Sequence, residues 1–291
     1  MRKSLRTAHN RIVLCGLLIG LWYLPNWLAI ILDYTFQGVA FPLIVAASAY
    51  FAGQELWRER SKLTKLSATP KQRQLGQILI LSGVGLFPFY HFAFWPQALL
   101  WLLILVGIAL SSWGLGFFEK YPRPIFLILL SVHPTPDILI GQLWIALTPN
   151  HILERLMAWS GSLALQAIGQ PATSTNISIS LPTGGVLVGF GCSGFDMALT
   201  IATTSLLLGL ILRQTWLRTV WLVIISIFLA LFINIPRIVL LTFAAIFWGE
   251  ELFTFWHSSW GGQIFSAILF TIYYYIMMSI FSQRFSNYKR R

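Results

Sequence analysis

The stretch Thr219-Val-Trp-Leu-Val-Ile-Ile-Ser-Ile-Phe-Leu-Ala-Leu-Phe-Ile-Asn-Ile-Pro-Arg-Ile-Val-Leu-Leu-Thr-Phe-Ala-Ala-Ile-Phe247 decides the fold class. It carries one charge, Arg237, and is longer than the roughly 20 apolar residues a helix needs to cross a hydrocarbon layer. Comparable runs lie on both sides of it, at 12–32, 36–53, 75–93, 97–117, 124–147, 193–212 and 263–281. The chain therefore reads as an all-α polytopic membrane protein of about eight transmembrane helices, in one continuous membrane domain over 1–291. The run at 36–53 is short, and Pro88 and His91 interrupt the next, so six or seven crossings are the alternatives. Composition agrees: 57% of residues are hydrophobic, 10% are charged and mean hydropathy is +0.73, against about a quarter charged in a soluble domain.

Charge gives an independent test, because cytoplasmic flanks collect Lys and Arg. With the N-terminus inside, 18 of the 20 basic residues fall on inner segments, leaving only Arg155 and Arg237 toward the outer side. Both termini are then cytoplasmic. The net charge of +11 is spread over short loops beside apolar runs rather than along one face, so membrane orientation and anionic lipids account for it without nucleic acid. The first run is longer than a signal-peptide core and no A-x-A site follows it, so it reads as a retained anchor. Cys15 and Cys192 fall near opposite ends of the membrane in this topology, too far apart for a disulfide. Cys15, among Val13, Leu14, Leu17 and Leu18, reads as a small buried hydrophobe.

Residues 148–191 are an outward-facing insertion with soluble-type patterning. Ile152, Leu153, Leu156 and Trp159 recur at helical spacing, predicting an amphipathic helix along the interface. Ile177-Ser-Ile-Ser-Leu181 alternates with period two, Pro182-Thr-Gly-Gly185 supplies a turn, and Val186 to Phe190 follows, predicting a small β-hairpin that leads into Gly191-Cys192-Ser193-Gly194.

Three polar residues stand out. Cys192 lies between glycines at a strand-to-helix junction, where a helix dipole favours the thiolate; the bland alternative is a small residue in a tight turn. Arg237 sits within an apolar helix, where a guanidinium costs a few kcal/mol. Asn234 shares its face three residues earlier, and Pro236 removes one backbone N–H. Pairing of Arg237 with Asp196, or snorkelling to the headgroups, is its structural alternative. His257 lies in the outward loop before the last run, and a lone loop histidine is often unremarkable; here the topology puts it on the same leaflet as Cys192 and Arg237. Cysteine, histidine and a cation together suit acyl transfer at a peptide carbonyl. His133-Pro-Thr-Pro-Asp137 breaks the fifth run and predicts a kinked or broken helix. His133 and Asp137 do not make a metal site, His91 reads as interfacial, and the chain carries no P-loop, GxGxxG or HExxH. No metal and no cofactor is expected.

At these residues the chain resembles the exosortase/archaeosortase family of membrane cysteine transpeptidases, and looks most like its cyanoexosortase branch. The matching pieces are Cys192-Ser193-Gly194 opening a span, Asn234-x-x-Arg237 in the next, and His257 with Gly261-Gly262 before the last, over about residues 75–281. The resemblance implies that Cys192, Arg237 and His257 are the catalytic set, with Asn234, Asp196, Ser193 and Gly194 in support. It implies substrates that are exported proteins with a C-terminal sorting tail: a Pro-Glu-Pro-type motif, a transmembrane helix and a basic cluster. It also implies a bacterial inner (cytoplasmic) membrane, with the site on the outer face and an unknown acceptor. The departure is Phe195-Asp196 after the Cys-Ser-Gly, where a basic residue is the more familiar form; Asp196 is open to orienting His257, pairing with Arg237 or shaping substrate choice. The rival readings are a hydrolytic membrane cysteine protease and a non-enzymatic transporter or scaffold with Arg237 lining a solute path. An internal inverted repeat would favour transport, and none is evident.

Overall fold

The computed structural model describes residues 7–90 and 92–289 of the chain. His91, expected at the interface, and the basic residues Arg2, Lys3, Arg6, Arg290 and Arg291 lie outside the described residues. Two compact units are present, Met1–Phe36 with Ala40–Pro136, and Gln37–Val39 with Asp137–Arg291.

The first unit holds α1 (Ala8–Phe36), α2 (Phe41–Arg58), the single turn α3 (Arg60–Leu63), α4 (Pro70–Leu86), α5 (Phe94–Trp113), the short α6 (Leu115–Lys120) and α7 (Pro122–Val132). Helix α4 starts earlier than the apolar run does. Pro70 occupies its first turn, and Thr69 and Gln72 form a reciprocal capping box that satisfies two otherwise orphaned N–H groups. Helices α4 and α5 pack closely, because a Cβ on Gly76 would stand 2.6 Å from the Gly107 carbonyl oxygen and one on Gly107 would stand 2.7 Å from that of Gly76. Small residues at such a crossing let two backbones meet, which is how helices associate where lipid removes the hydrophobic driving force. Helix α1 buries a stripe of Gly16, Ile19, Tyr23, Trp27 and Ile31. Cys15 lies off that stripe and is exposed, correcting its expected burial.

The break at His133-Pro-Thr-Pro-Asp137 is a built feature. Helix α7 ends at Val132 because Pro134 and Pro136 bring no N–H to continue its ladder. The carbonyls freed there are taken by side chains of α1: Trp27 Nε1 donates to Ser131 O and Tyr23 O–H to Val132 O, both at 2.9 Å. The Thr135 N–H turns instead to His133 Nδ1, at 3.1 Å, and the His133 ring stacks on Trp95 with centroids 3.8 Å apart.

The second unit runs through α8 (Pro136–Leu147), α9 (Ile152–Ala167), strands β1 (Thr173–Thr175), β2 (Ser178–Leu181) and β3 (Gly184–Leu187), a 3-10 turn over Phe190–Cys192, α10 (Phe195–Ile211), α11 (Trp216–Phe243), α12 (Glu250–His257) and α13 (Ser259–Lys289). Helix α11 continues as a π-helical segment, Ala244–Trp248. The strands form one antiparallel sheet of order β1-β2-β3. The expected hairpin is β2–β3. Strand β1 adds to that hairpin: Thr173-Ser-Thr is too short and polar to show periodicity, and its signal is Asn176, whose φ of 58° opens a two-residue loop between Thr175 and Ser178. Helix α9 holds the sheet through Met157, Ala158 and Leu165, which join Ile179, Leu181 and Val188 of the sheet region and Ile238 and Leu241 of α11 in one buried cluster. The apolar face read from sequence points the other way: Ile152, Leu156 and Trp159 are exposed, so α9 is apolar on two sides.

Among the described residues four helices are long and apolar enough to cross a membrane: α1, α5, α11 with its π extension to Trp248, and residues 260–279 of α13. They become five if α7 and α8 count as one broken crossing, while α10 is apolar but only 17 residues long. The protein is thus a mainly helical membrane protein with four to five such spans by length and composition, against the eight expected.

Placing Val at Gly76 should force the α4–α5 backbones apart and lower thermal stability in detergent, at an overpacking cost of about 1–3 kcal/mol. Ala at Gly85, whose Cβ would meet nothing within 4 Å, should move the melting temperature little, and equal effects of the two would show that the close crossing is unimportant.

Candidate active site

Chain geometry brings Cys192 to a buried turn between the sheet and α10. The Val188 N–H donates 2.8 Å to Ile177 O, closing the hairpin, and the 3-10 turn then places Cys192 at 7% exposure. Ser193 is a structural partner of this turn: its hydroxyl donates to Phe190 O at 2.6 Å and accepts from the Phe195 N–H at 3.3 Å, with the residue fully buried. Gly194 follows at φ 80°, a left-handed conformation that disfavours a Cβ, and a Cβ there would also meet Asn234 at 3.0 Å. The glycine allows α11 to come this close.

Asn234 uses that closeness. Its Nδ2 donates 2.8 Å to the Cys192 carbonyl, and the side chain is completely buried. A satisfied donor of this kind contributes about 1 kcal/mol, and leaving the carbonyl unpaired would cost about 1–3 kcal/mol. Its Oδ1 has no hydrogen-bond partner among the described residues.

One turn further along α11, Arg237 is 8% exposed, and its Nε is buried without a partner among the described residues. Asp196, on the first turn of α10, is exposed and makes no ion pair with Arg237. It makes no hydrogen bond to His257 among the described residues, while the charge of Arg237 acts on its carboxyl across a longer distance, so pairing with Arg237 and a part in substrate choice both stay open. Gly262 of α13 lies beside the guanidinium, where an added Cβ would be 3.7 Å from Nη2.

His257, the last residue of α12, has its Nδ1 3.5 Å from Cys192 Sγ, and its ring stacks on Phe253 at 5.2 Å between centroids. Both residues line a cavity of about 400 Å³ together with Gly185 to Val188, Ile238, Leu241, Thr242, Ala245, Glu250 and Phe253. Arg237 is not part of its wall. The cavity holds a thiol and an imidazole in contact beside a strand edge, a set able to attack and reprotonate a peptide bond.

Burial pushes the Cys192 thiol up from its ordinary range, and the charge of Arg237 opposes that rise. The expected thiolate bias from the helix dipole is therefore reversed. Cys192 precedes α10 by three residues and is enclosed by the α9–sheet–α11 cluster, so desolvation outweighs the dipole. No group of three or more His, Cys, Asp or Glu side chains able to hold a metal ion exists among the described residues.

The family model for transmembrane exosortases matches residues 33–274, and the chain belongs to that family. No curated protein and no solved structure matches it.

In a Cys15→Ser background, the rate of Cys192 alkylation by iodoacetamide should rise with pH along a curve displaced above that of free cysteine. A raised thiol pKa leaves less thiolate at neutral pH. Arg237→Gln removes the opposing charge and should displace the curve further upward. A profile at or below that of free cysteine would contradict the burial assignment.

Proposed function

From family membership and this geometry, we propose that the protein is a membrane cysteine transpeptidase that removes the C-terminal sorting tail of exported proteins through a thioacyl intermediate. The single observation that carries the reading is the 3.5 Å approach of Cys192 Sγ to His257 Nδ1 at the wall of a cavity of about 400 Å³. A tail with a Pro-Glu-Pro-type motif, a transmembrane helix and a basic cluster lies in the same bilayer as the enzyme, its motif at the outer surface. The inner location of the basic loops supports this orientation, with both termini cytoplasmic, and the family resemblance supports a bacterial inner membrane. Eight crossings belong to the same proposal: α2, α4 and α10, at 17–18 residues, would complete the count with four long helices and one broken pair.

In the resting site burial keeps Cys192 a thiol, and its Sγ faces His257 Nδ1. As the scissile carbonyl arrives, Sγ attacks its carbon and the thiol proton passes to Nδ1, so that thiolate never accumulates. Collapse of the tetrahedral intermediate breaks the C–N bond, and the imidazolium gives its proton to the departing amine. The tail leaves, and the upstream protein remains as a thioester on Cys192. An acceptor nucleophile, deprotonated by His257, then releases it; with water in that place the outcome is hydrolysis. Arg237 stabilises either the sulfur or the developing oxyanion; negative charge developing on sulfur is favoured, because the charge of Arg237 acts on the thiol and it stands outside the cavity wall. A buried guanidinium inside an apolar helix, its Nε without a hydrogen bond among the described residues, is expensive, which supports a functional reason for keeping it. Asn234 holds the Cys192 carbonyl and so positions the sulfur.

The test is co-expression with an exported reporter bearing such a tail. Cys192→Ala should abolish tail loss, His257→Ala should slow it by about 10²-fold or more, and Arg237→Gln by about 10–10²-fold. Processing by Cys192→Ala at the parental rate would overturn the assignment. The mass of the new C-terminus separates transfer from hydrolysis.

A further inference from the structure

Strand β3 has one side without a partner. It pairs only with β2, in the register Ser178↔Leu187, Ile179↔Val186, Ser180↔Gly185 and Leu181↔Gly184. The bond from Val188 N–H to Ile177 O identifies that pair as a hydrogen-bonded one. In an antiparallel ladder bonded and non-bonded pairs alternate, so Val186 and Gly184 also turn their backbone groups to β2. Gly185 and Leu187 therefore turn their N–H and C=O away from the sheet. Neither residue has a hydrogen bond to another group among the described residues beyond the ladder itself. Both line the cavity that contains Cys192 and His257. Gly185 brings no side chain to obstruct an approaching backbone, and the Leu187 side chain is 73% exposed.

We propose that the extended segment of the substrate tail beside the scissile bond docks as a fourth strand on the free edge of β3, hydrogen-bonded to the backbone groups of Gly185 and Leu187. This rests on the sorting-tail reading above and deepens it. A peptide bond presented to a thiol must be extended and accessible, and pairing to an adjacent edge delivers that shape with main-chain hydrogen bonds, leaving alternate side chains free for recognition. The occupant is set by the neighbouring chemistry. The edge shares its cavity with the reacting thiol and imidazole, so a second copy of the sheet paired there would fill the site with an uncleavable strand. Pro at alternate positions suits such an edge. With the residue between two prolines turned inward to pair, both prolines turn outward, where a missing N–H costs nothing.

Two measurements on the full-length enzyme in lipid nanodiscs test this. In the first, synthetic peptides spanning a Pro-Glu-Pro-type motif and its flanks carry single backbone N-methyl groups, and protection of Cys192 from iodoacetamide in a Cys15→Ser background reports binding. Methylation in phase with the central Glu should weaken protection at least fivefold and methylation out of phase less than twofold. Uniform sensitivity would overturn the strand-pairing proposal while leaving the sorting-tail reading intact. No protection by the unmethylated peptide would overturn the tail reading, and this inference with it. In the second, Leu187→Pro, which deletes the outward N–H without breaking a bond to β2, should process a tail-bearing reporter about tenfold more slowly than Leu187→Ala. Equal rates would overturn the proposal. If Leu187→Pro also alters Cys192 alkylation in the absence of peptide, its fold is disturbed, and the N-methyl pattern decides.

Discussion

The 2.8 Å hydrogen bond from Asn234 to the Cys192 carbonyl is the constraint on which the second unit depends. It ties the turn that carries the thiol to a helix whose depth in the membrane is set by its own apolar length. Gly194 is glycine because Asn234 fills the space its Cβ would take. One turn along the same helix comes Arg237, and beside it Ile238 and Leu241 pack under the sheet and α9. A single element thus sets the height of the sulfur, the position of the nearby charge and the floor of the cavity. An apolar helix normally rejects an amide, and this one accepts it because the donor is spent on a carbonyl that would otherwise be unpaired.

Burial and reactivity pull against each other at Cys192. A thiol enclosed by Val188, Ile238 and Leu241 is protected from oxidants and stray electrophiles, since susceptibility follows thiolate character and exposure. The same enclosure makes ionisation unfavourable, and Arg237 offsets only part of that. An exposed, low-pKa cysteine would be faster toward any electrophile. In the proposed reaction this one gains in selectivity, reacting when a bound peptide bond and His257 are both in place.

Much of this was legible in the sequence, for physical reasons that differ from residue to residue. The long apolar runs declare α1, α5 and α11 because hydrocarbon imposes a length. Pro134 and Pro136 declare the break because neither brings an N–H. Period-two alternation declares β2, and the turn at Pro182 to Gly185 with the short apolar run after it declares the partner strand. What was not legible depends on contacts between distant segments. Thr173 to Thr175 becomes a strand only because β2 is there to pair with it, and Cys15 is exposed because of where the α1 stripe falls. The direction of the Cys192 thiol depends on how α9 and α11 close over it. Cys192, His257 and Asn234 could be named from composition and topology, but their mutual contact is a product of the turn over Phe190–Cys192 and of the end of α12. Asp196 makes no ion pair with Arg237 and feels that charge only from a distance, a separation that sequence order does not specify.

Strand β3 is four residues long, about 13 Å at the usual rise of an antiparallel strand. A surface that short carries little information: it can register about four residues of a partner, and only alternate ones present their side chains to the wall. Discrimination among the many exported chains in a cell demands more than that. On the proposed function the remainder comes from outside the cavity, from confinement to the bilayer, which raises the local concentration of any tail anchored in the same membrane and converts a weak local contact into an effective one.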